Sequence, residues 1–150
     1  MDSKDELILQ ALRRDASASK RDIAKRTGIP LTTVFHRIRG MEKDGTIKKY
    51  TVDLDFGRMG YSLQAFVFAS VKQNPAEASK ISQQDIAKEI IKKFPTVESV
   101  SIVTGELDLI IKARFKSVAA LNKFITGELR NMKGIDKTVT SIVLDEISQP

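Results

Sequence analysis

The sequence predicts an α+β chain of two units, a helix-turn-helix of the winged type followed by a ferredoxin-like β-α-β-β-α-β unit. Apolar residues recur at the spacing of amphipathic helices up to about residue 45, and beyond residue 61 several segments alternate apolar and polar positions. Charge divides at the same place, because residues 1–50 carry a net charge of +5 and the remainder only +1. We expect a helix-turn-helix unit at 1–52, a linker at 53–60 and the ferredoxin-like unit at 61–150.

The composition excludes several kinds of chemistry. The 150 residues include no Cys and one His, which excludes disulfides and thiolate metal sites and argues against a His-based metal centre. No apolar run approaches the ~20 residues that span a bilayer, and residues 1–6 lack the pattern of a secretory signal. We expect a cytoplasmic protein with no membrane contact, no cofactor, no metal ion and no catalytic residues.

Start and stop signals in the first third predict three helices. They are a Ser3 and Glu6 capping box for a helix over 4–14, Ser19 with Asp22 for a helix closed by Gly28, and Pro30 for a helix ending near Asp44-Gly45. The segment from Ile47 to Leu54 is β-like and predicts a basic strand. Short helices, a glycine turn and a following strand are typical of a winged helix-turn-helix.

The third helix has an apolar stripe and an opposite polar face. Val34, Ile38 and Met41 form the stripe, and the opposite face carries Thr32, Thr33, His36, Arg39, Gly40 and Lys43. Nine basic and three acidic residues lie between positions 19 and 49. A basic surface helix is often only a solvated face, but its combination with the helix spacing and the glycine turn favours double-stranded DNA as the partner.

The predicted DNA contacts fall into two groups. Lys20, Arg21, Lys48 and Lys49 are expected to neutralise phosphates, whereas Thr32, Thr33, His36 and Arg39 are expected to face base edges. The complete set of predicted DNA-binding residues is Lys20, Arg21, Thr32, Thr33, His36, Arg37, Arg39, Lys43, Lys48 and Lys49.

The remaining hundred residues predict four strands and two helices. The predicted elements are a strand at 62–72, a polar loop at 73–81, a helix capped by Ser82 with Ile86, Ile90, Ile91 and Phe94 inward, strands at 97–104 and 107–115 around a Gly105-Glu106 turn, a helix from Ser117 to Gly134 with Leu121, Phe124, Ile125 and Leu129 inward, and a strand at 138–147. Both helices are expected on one sheet face.

The other sheet face is also expected to be apolar. Phe66, Phe68, Ile102, Ile110 and Val143 are predicted to lie there. An open apolar sheet face is a liability in a monomer, so we expect it to be buried against a second copy of the chain. The alternative is that these residues are scattered over the surface. A homodimer also suits a helix-turn-helix, since paired units read two half-sites.

The chain resembles the Lrp/AsnC (feast/famine) family of transcription factors over nearly its whole length. Three stretches carry the resemblance: residues 5–12, residues 23–47 with Ile23-Ala24-Lys25-Arg26-Thr27-Gly28, and Thr104-Gly105-Glu106-Leu107-Asp108 before an apolar strand. The resemblance implies a RAM/ACT-like C-terminal unit that dimerises through its sheet, forms octamers in some relatives, and binds a small effector, typically an amino acid. It places effector contacts at Thr104, Gly105, Glu106, Leu107 and Asp108, where Leu107 replaces the family's usual aromatic residue.

The predicted function is therefore a sequence-specific DNA-binding transcriptional regulator that responds to an amino acid or a related metabolite. A non-specific architectural DNA binder is an alternative that shares the same basic residues. A haem-pathway decarboxylase of similar fold is another alternative, but the only His lies on the predicted recognition helix and residues 61–150 contain only two Arg. We expect no enzymatic activity.

Overall fold

The computed structural model describes residues 1–72 and 82–147. The chain divides into two compact units between Leu54 and Asp55, within the segment predicted to be a linker. The predicted polar loop at 73–81 lies outside the described residues. Among the helices of the described ranges, none is long and apolar enough to cross a membrane.

The N-terminal unit consists of three helices. They are α1 (Ser3–Arg14), α2 (Lys20–Thr27) and α3 (Leu31–Lys43). Their shared core is apolar and contains Ile8, Ile23, Ile29, Val34, Ile38 and Met41. The predicted apolar stripe of α3 is therefore confirmed.

The caps of α2 lie where the sequence predicts them, but the N-terminal cap of α1 lies one residue earlier than predicted. Ser19 caps α2 by accepting the Asp22 N–H, and Gly28 ends α2 in the left-handed conformation with φ +70°, as predicted. The capping box predicted at Ser3 and Glu6 is wrong, because Asp2 and Asp5 form it one residue earlier. Two overlapping pairs have the same spacing, and aspartate is as good a cap as serine.

The strand predicted from Ile47 to Leu54 is wrong, because this segment lies outside any strand in the described chain. A strand needs a partner for its backbone groups, and the three helices provide none. Two hydrogen bonds instead hold the segment's beginning near the end of α3. The Ile47 N–H donates to the Met41 carbonyl at 2.8 Å, and the Tyr50 hydroxyl donates to Glu42 Oε1 at 2.7 Å.

The C-terminal unit is a four-stranded antiparallel sheet with helices on one face. Its elements are β1 (Leu63–Val71), α4 (Gln83–Lys93), β2 (Val97–Ile102), β3 (Leu109–Phe115), α5 (Val118–Asn122), a π-helical turn (Lys123–Glu128), a 3₁₀ turn (Leu129–Asn131) and β4 (Ile135–Ile142). The strand order is β2-β3-β1-β4, which is the predicted ferredoxin-like arrangement.

One face of the sheet packs against the helices. From the sheet come Ala65, Val67 and Ala69 of β1 with Leu109, Ile111, Ala113 and Phe115 of β3, and from the helical side Ile86, Ile90, Leu121, Phe124 and Leu129. Ile91, predicted to point inward, is 46% exposed. It lies about 100° from Ile90 around the helix, and so points away from the sheet.

The second helical segment is not one continuous helix. The Ser117 hydroxyl accepts the Ala120 N–H as predicted, but α5 continues into the π-helical turn, and the last helical residue is Asn131 rather than one near Gly134. Phe124 and Leu129 are both buried and lie five residues apart, which is the spacing that a π turn places on one face. Gly134 instead lies beside Ile86, immediately before β4.

Two strand boundaries also differ from the prediction. β2 ends at Ile102 and β3 begins at its partner Leu109, so six residues connect the strands instead of the predicted two. β4 occupies Ile135–Ile142 and not 138–147. It begins where buried Ile135 pairs with Val71, and its pairing with β1 ends where the Val143 N–H donates to the Gln64 carbonyl at 2.9 Å.

The sheet face opposite the helices carries a row of aromatic and aliphatic side chains. Cross-strand pairs join Phe66 with Ser141 and Phe68 with both Ile110 and Val139 on this open face. Val143 lies next to Gln64 at the end of the row. Ile102 was predicted here wrongly, because it pairs with buried Leu109 and therefore belongs to the helix-covered side.

Candidate nucleic-acid interface and effector turn

The exposed face of α3 carries the side chains predicted to face base edges. Val34, Ile38 and Met41 are buried against α1 and α2, which turns the opposite face of α3 outward. Thr32, His36, Arg39 and Lys43 are exposed and Thr33 is half-buried. They lie within one strip of the helix, because their positions differ by about three, four or seven residues. A strip of hydroxyl, imidazole and guanidinium groups can bond to base edges and phosphates.

Lys48 and Lys49 lie between two residues that are hydrogen-bonded to α3. Ile47 is bonded to the carbonyl of Met41, and Tyr50 is bonded to the carboxylate of Glu42. Partial burial and the hydrogen bond to the Glu42 carboxylate raise the pKa of Tyr50 to about 12. Both lysines are exposed beside the end of α3.

Lys20 and Arg21 lie in the first turn of α2 and are exposed. The Lys20 ammonium lies 4.8 Å from the centroid of the Phe35 ring, and this ring meets His36 edge to face at 5.7 Å. Phe35 is 41% exposed on α3 and was not among the predicted site residues. Its signal in the sequence is that it is apolar yet lies outside the Val34, Ile38 and Met41 stripe.

Arg37 differs from the other predicted DNA contacts because it forms ion pairs with two carboxylates of the N-terminal unit. Its Nη1 lies 2.8 Å from Asp2 Oδ2 and 2.8 Å from Asp5 Oδ1, both at the beginning of α1. The Arg37 side chain is 29% exposed and therefore half-buried, whereas Arg39 two residues later is exposed. Arg37 therefore lies beside the strip but points toward α1.

The predicted effector turn is the connection between β2 and β3. Thr104, Gly105 and Glu106 are exposed, and Leu107 is half-buried. Gly105 has φ +133°, a backbone conformation that residues other than glycine rarely adopt. The Val103 N–H donates to the Asp108 carbonyl at 2.9 Å and closes the turn.

Asp108 differs from the rest of this turn because its carboxylate is already engaged. Its Oδ2 accepts the Val71 N–H at 2.7 Å, and its Oδ1 accepts the Gln83 amide at 2.6 Å. Its own N–H donates to the Ala69 carbonyl at 2.9 Å. Asp108 thus joins the end of β1 and the beginning of α4 to the turn, and the exposed groups of the turn are those of Thr104, Gly105 and Glu106.

An open cleft of about 420 Å³ lies elsewhere in the C-terminal unit, between residues 93–96 and the π-helical turn. It is lined by Lys93, Glu128 and Asn131 among others, and it does not include the predicted effector turn. Across the residues that the structure describes, no three His, Asp or Glu side chains come together as metal ligands.

Comparison with known proteins defines the class of this chain. The family model for winged helix-turn-helix DNA-binding domains matches residues 1–48, and the model for the Lrp/AsnC ligand-binding domain matches residues 64–150. The chain is therefore a helix-turn-helix DNA-binding transcriptional regulator with a ligand-binding domain. It belongs to the Lrp/AsnC family, whose members are non-enzymatic regulators. This confirms the predicted family, fold class and absence of an enzymatic role.

Several relatives share the whole architecture. The HTH-type transcriptional regulator FL11 of Pyrococcus horikoshii is 35% identical over 96% of this chain and 89% of its own length. A transcriptional regulator of Neisseria meningitidis, solved in complex with L-Met, is 26% identical with a TM-score of 0.88, covering 99% of this chain and 93% of that one. LrpC of Bacillus subtilis is 25% identical with a TM-score of 0.84, covering 100% and 99%.

Proposed function

We propose that this chain is a sequence-specific DNA-binding regulator that acts as a homodimer in the cytoplasm and responds to an amino acid or a related small metabolite. The observation that carries the proposal is the exposed strip on α3. Thr32, His36 and Arg39 lie on the side of the helix opposite its buried stripe. Lys48 and Lys49 follow at the end of the same helix, where they can neutralise phosphates without selecting a base.

Arg39 is expected to read a base. Replacing Arg39 by alanine should cost about 1–3 kcal/mol of binding free energy on a selected DNA site and relax the preference at one base pair. The physical reason is that a guanidinium makes two parallel hydrogen bonds to a guanine edge. The measurement is a fluorescence-anisotropy titration on the selected site and on its single-base variants. Unchanged affinity and preference in the Arg39→Ala variant would contradict the assignment of α3.

Lys49 is expected to contact phosphate only. The Lys49→Ala variant should bind all sequences more weakly by the same factor, and the slope of log affinity against log salt should fall by about one. Titrations at four salt concentrations on selected and scrambled duplexes measure both quantities. Lys92→Ala, at an exposed position on α4, is a control that removes the same charge outside the proposed interface. A sequence-dependent loss in Lys49→Ala would assign base contact to Lys49 instead.

The homodimer in this proposal is supported by the open sheet face. Phe66, Phe68 and Ile110 lie on the face opposite the helices and are only half-buried within the protomer. Contiguous apolar side chains of this kind usually mark an interface. A two-fold dimer brings the same patch from each copy together, so the patch must be complementary to itself.

The charges beside this apolar row are balanced, which favours a second copy as the occupant. Lys112 lies 3.1 Å from Glu146, and Arg114 pairs with Glu98. These two cations and two anions neutralise one another within each protomer, so two identical faces meet without net repulsion. The octamer implied by the resemblance stays a prediction.

The effector in this proposal is an amino acid bound at the turn between β2 and β3. Gly105 lacks a side chain there, so neighbouring backbone N–H groups can approach a carboxylate, and the exposed Glu106 carboxylate can pair with an ammonium group. A relative of known structure binds L-Met. Thermal melting with each of the twenty amino acids, combined with light scattering, tests this step. A stabilising ligand whose effect is lost in Glu106→Gln supports it, and stabilisation that persists in this variant places the ligand elsewhere.

A further inference from the structure

Arg37 is held by the two carboxylates that cap α1. Each carboxylate uses one oxygen for the helix cap and the other for Arg37. Asp2 accepts the Lys4 and Asp5 N–H groups with Oδ1, at 2.9 and 3.1 Å, and meets Arg37 with Oδ2. Asp5 accepts the Asp2 N–H with Oδ2 at 2.9 Å and accepts Arg37 Nη1 with Oδ1 at 2.8 Å. The guanidinium is therefore tied to the first turn of α1.

The local charge balance argues against Arg37 as a phosphate contact. Two carboxylates surround one guanidinium, so the group of three carries a net charge of −1. Backbone hydrogen bonds and Arg37 lower the pKa of Asp5, and the two carboxylates raise the pKa of Arg37. All three side chains are thus charged at neutral pH. Turning Arg37 toward a phosphate would leave the Asp5 side chain, only 15% exposed, without its cation.

The position of the ion pair suggests what it does. The buried face of α3 is made of Val34, Ile38 and Met41, and apolar contacts of this kind are not directional. A base-reading helix must be held to within about 0.5 Å and 10–20° of its working geometry. Arg37 lies directly between His36 and Ile38, and its hydrogen bonds to α1 are directional.

We propose that Arg37 is a positioning residue, which anchors α3 to the cap of α1 and sets the direction in which Arg39 and His36 face the DNA, without touching DNA itself. The inference rests on the proposed reading of DNA by α3. A solvated surface pair contributes little, but this pair is partly buried and engages two carboxylates at 2.8 Å. Its loss should therefore change which sequence is preferred more than how strongly phosphates are bound.

The test compares Arg37→Met with Lys43→Met, which removes the same charge from an exposed position of the same helix. Affinity is titrated on the selected site and on a scrambled duplex at four salt concentrations, and circular dichroism monitors folding. Arg37→Met should keep the salt slope of the unmodified protein. The ratio of its affinities for the selected and the scrambled duplex should fall about tenfold, which corresponds to about 1.4 kcal/mol. Lys43→Met should lower the slope by about one.

Two further variants separate positioning from contact. Asp5→Asn releases Arg37 from one carboxylate, so a phosphate-binding Arg37 would then bind DNA more tightly with its preference retained. A positioning Arg37 predicts a lower preference for the selected site in the same variant. Arg37→Lys keeps the charge but replaces the guanidinium by a smaller ammonium group on a shorter side chain, and it should restore the ratio only in part.

The outcome that overturns the inference is a folded Arg37→Met variant whose salt slope falls by about one while its preference for the selected site is unchanged. A failure of the unmodified protein to prefer the selected duplex would instead contradict the proposed sequence-specific function. The two failures are therefore distinguishable in a single set of titrations.

Discussion

Replacing Phe68 by aspartate is expected to separate the proposed homodimer into folded monomers. Phe68 is paired across the open face with Ile110 and Val139, at the middle of the apolar row. A dimer would bury one new, unpaired carboxylate from each copy, and an uncompensated buried charge costs about 3–5 kcal/mol. Because two such charges are buried, the dimer dissociation constant should rise by about 10⁴-fold or more, as measured by sedimentation equilibrium over a concentration series.

Loss of the dimer should also weaken DNA binding. A dimer engages two half-sites, and linked binding exceeds single-site affinity by about 10²–10⁴. A monomeric Phe68→Asp variant should therefore bind a single half-site with unchanged affinity, and it should no longer bind a pair of half-sites more tightly than a single one. Gln84→Glu adds one negative charge at an exposed position of α4 and serves as the matched control. If Phe68→Asp remained dimeric at micromolar concentration, the open face would not be the interface.

Replacing Gly134 by valine is expected to destabilise the C-terminal unit strongly. Gly134 has φ +95°, and a Cβ at this position would lie 2.8 Å from Cδ1 of fully buried Ile86. Strained backbone costs about 1–3 kcal/mol and overpacking costs a similar amount, so the free energy of unfolding should fall by about 2–6 kcal/mol. Urea unfolding followed by circular dichroism measures this loss.

Gly40→Ala is the control for the Gly134 prediction. Gly40 lies within α3, and a Cβ there would meet nothing within 4 Å. Alanine in a helix interior is favoured over glycine by about 0.5–1 kcal/mol, so this variant should be as stable as the unmodified protein or slightly more so. Equal stability of the Gly134→Val and Gly40→Ala variants would mean that the approach of Gly134 to Ile86 does not constrain the fold.

The parts of the fold that could be predicted are those determined by nearby residues. Ser19 and Gly28 cap α2 as expected because each acts within one turn of the helix. Alternation along β1 correctly placed Phe66 and Phe68 on the open face, opposite the buried Ala65 and Val67, since a strand has a period of two.

The incorrect predictions concern features that depend on distant partners. The segment after α3 has strand-like composition but lacks a neighbour with which to pair. The turn between β2 and β3 is longer than predicted because Asp108 is bonded to β1 and α4, which the local sequence does not reveal. The π-helical turn after α5 similarly depends on burying both Phe124 and Leu129 against the sheet.

For the candidate site, the exposed strip of α3 followed directly from helical periodicity. Arg37 could not be distinguished from Arg39 in this way, because only the position of α1 reveals the carboxylates of Asp2 and Asp5. The sequence therefore predicted the correct helix and the correct kind of residues. It did not predict that Arg39 is exposed whereas Arg37 pairs with two carboxylates of α1.

Competition between two DNA duplexes tests most directly the proposal that α3 reads a base sequence. DNA bound by the full chain is selected from a random pool, and affinity for the selected site is compared with that for a scrambled duplex of equal length and composition at one fixed salt concentration. A sequence-specific regulator should bind the selected site about 10³-fold more tightly or better. Equal affinity for both duplexes would contradict this proposal and identify a non-specific, architectural DNA-binding protein.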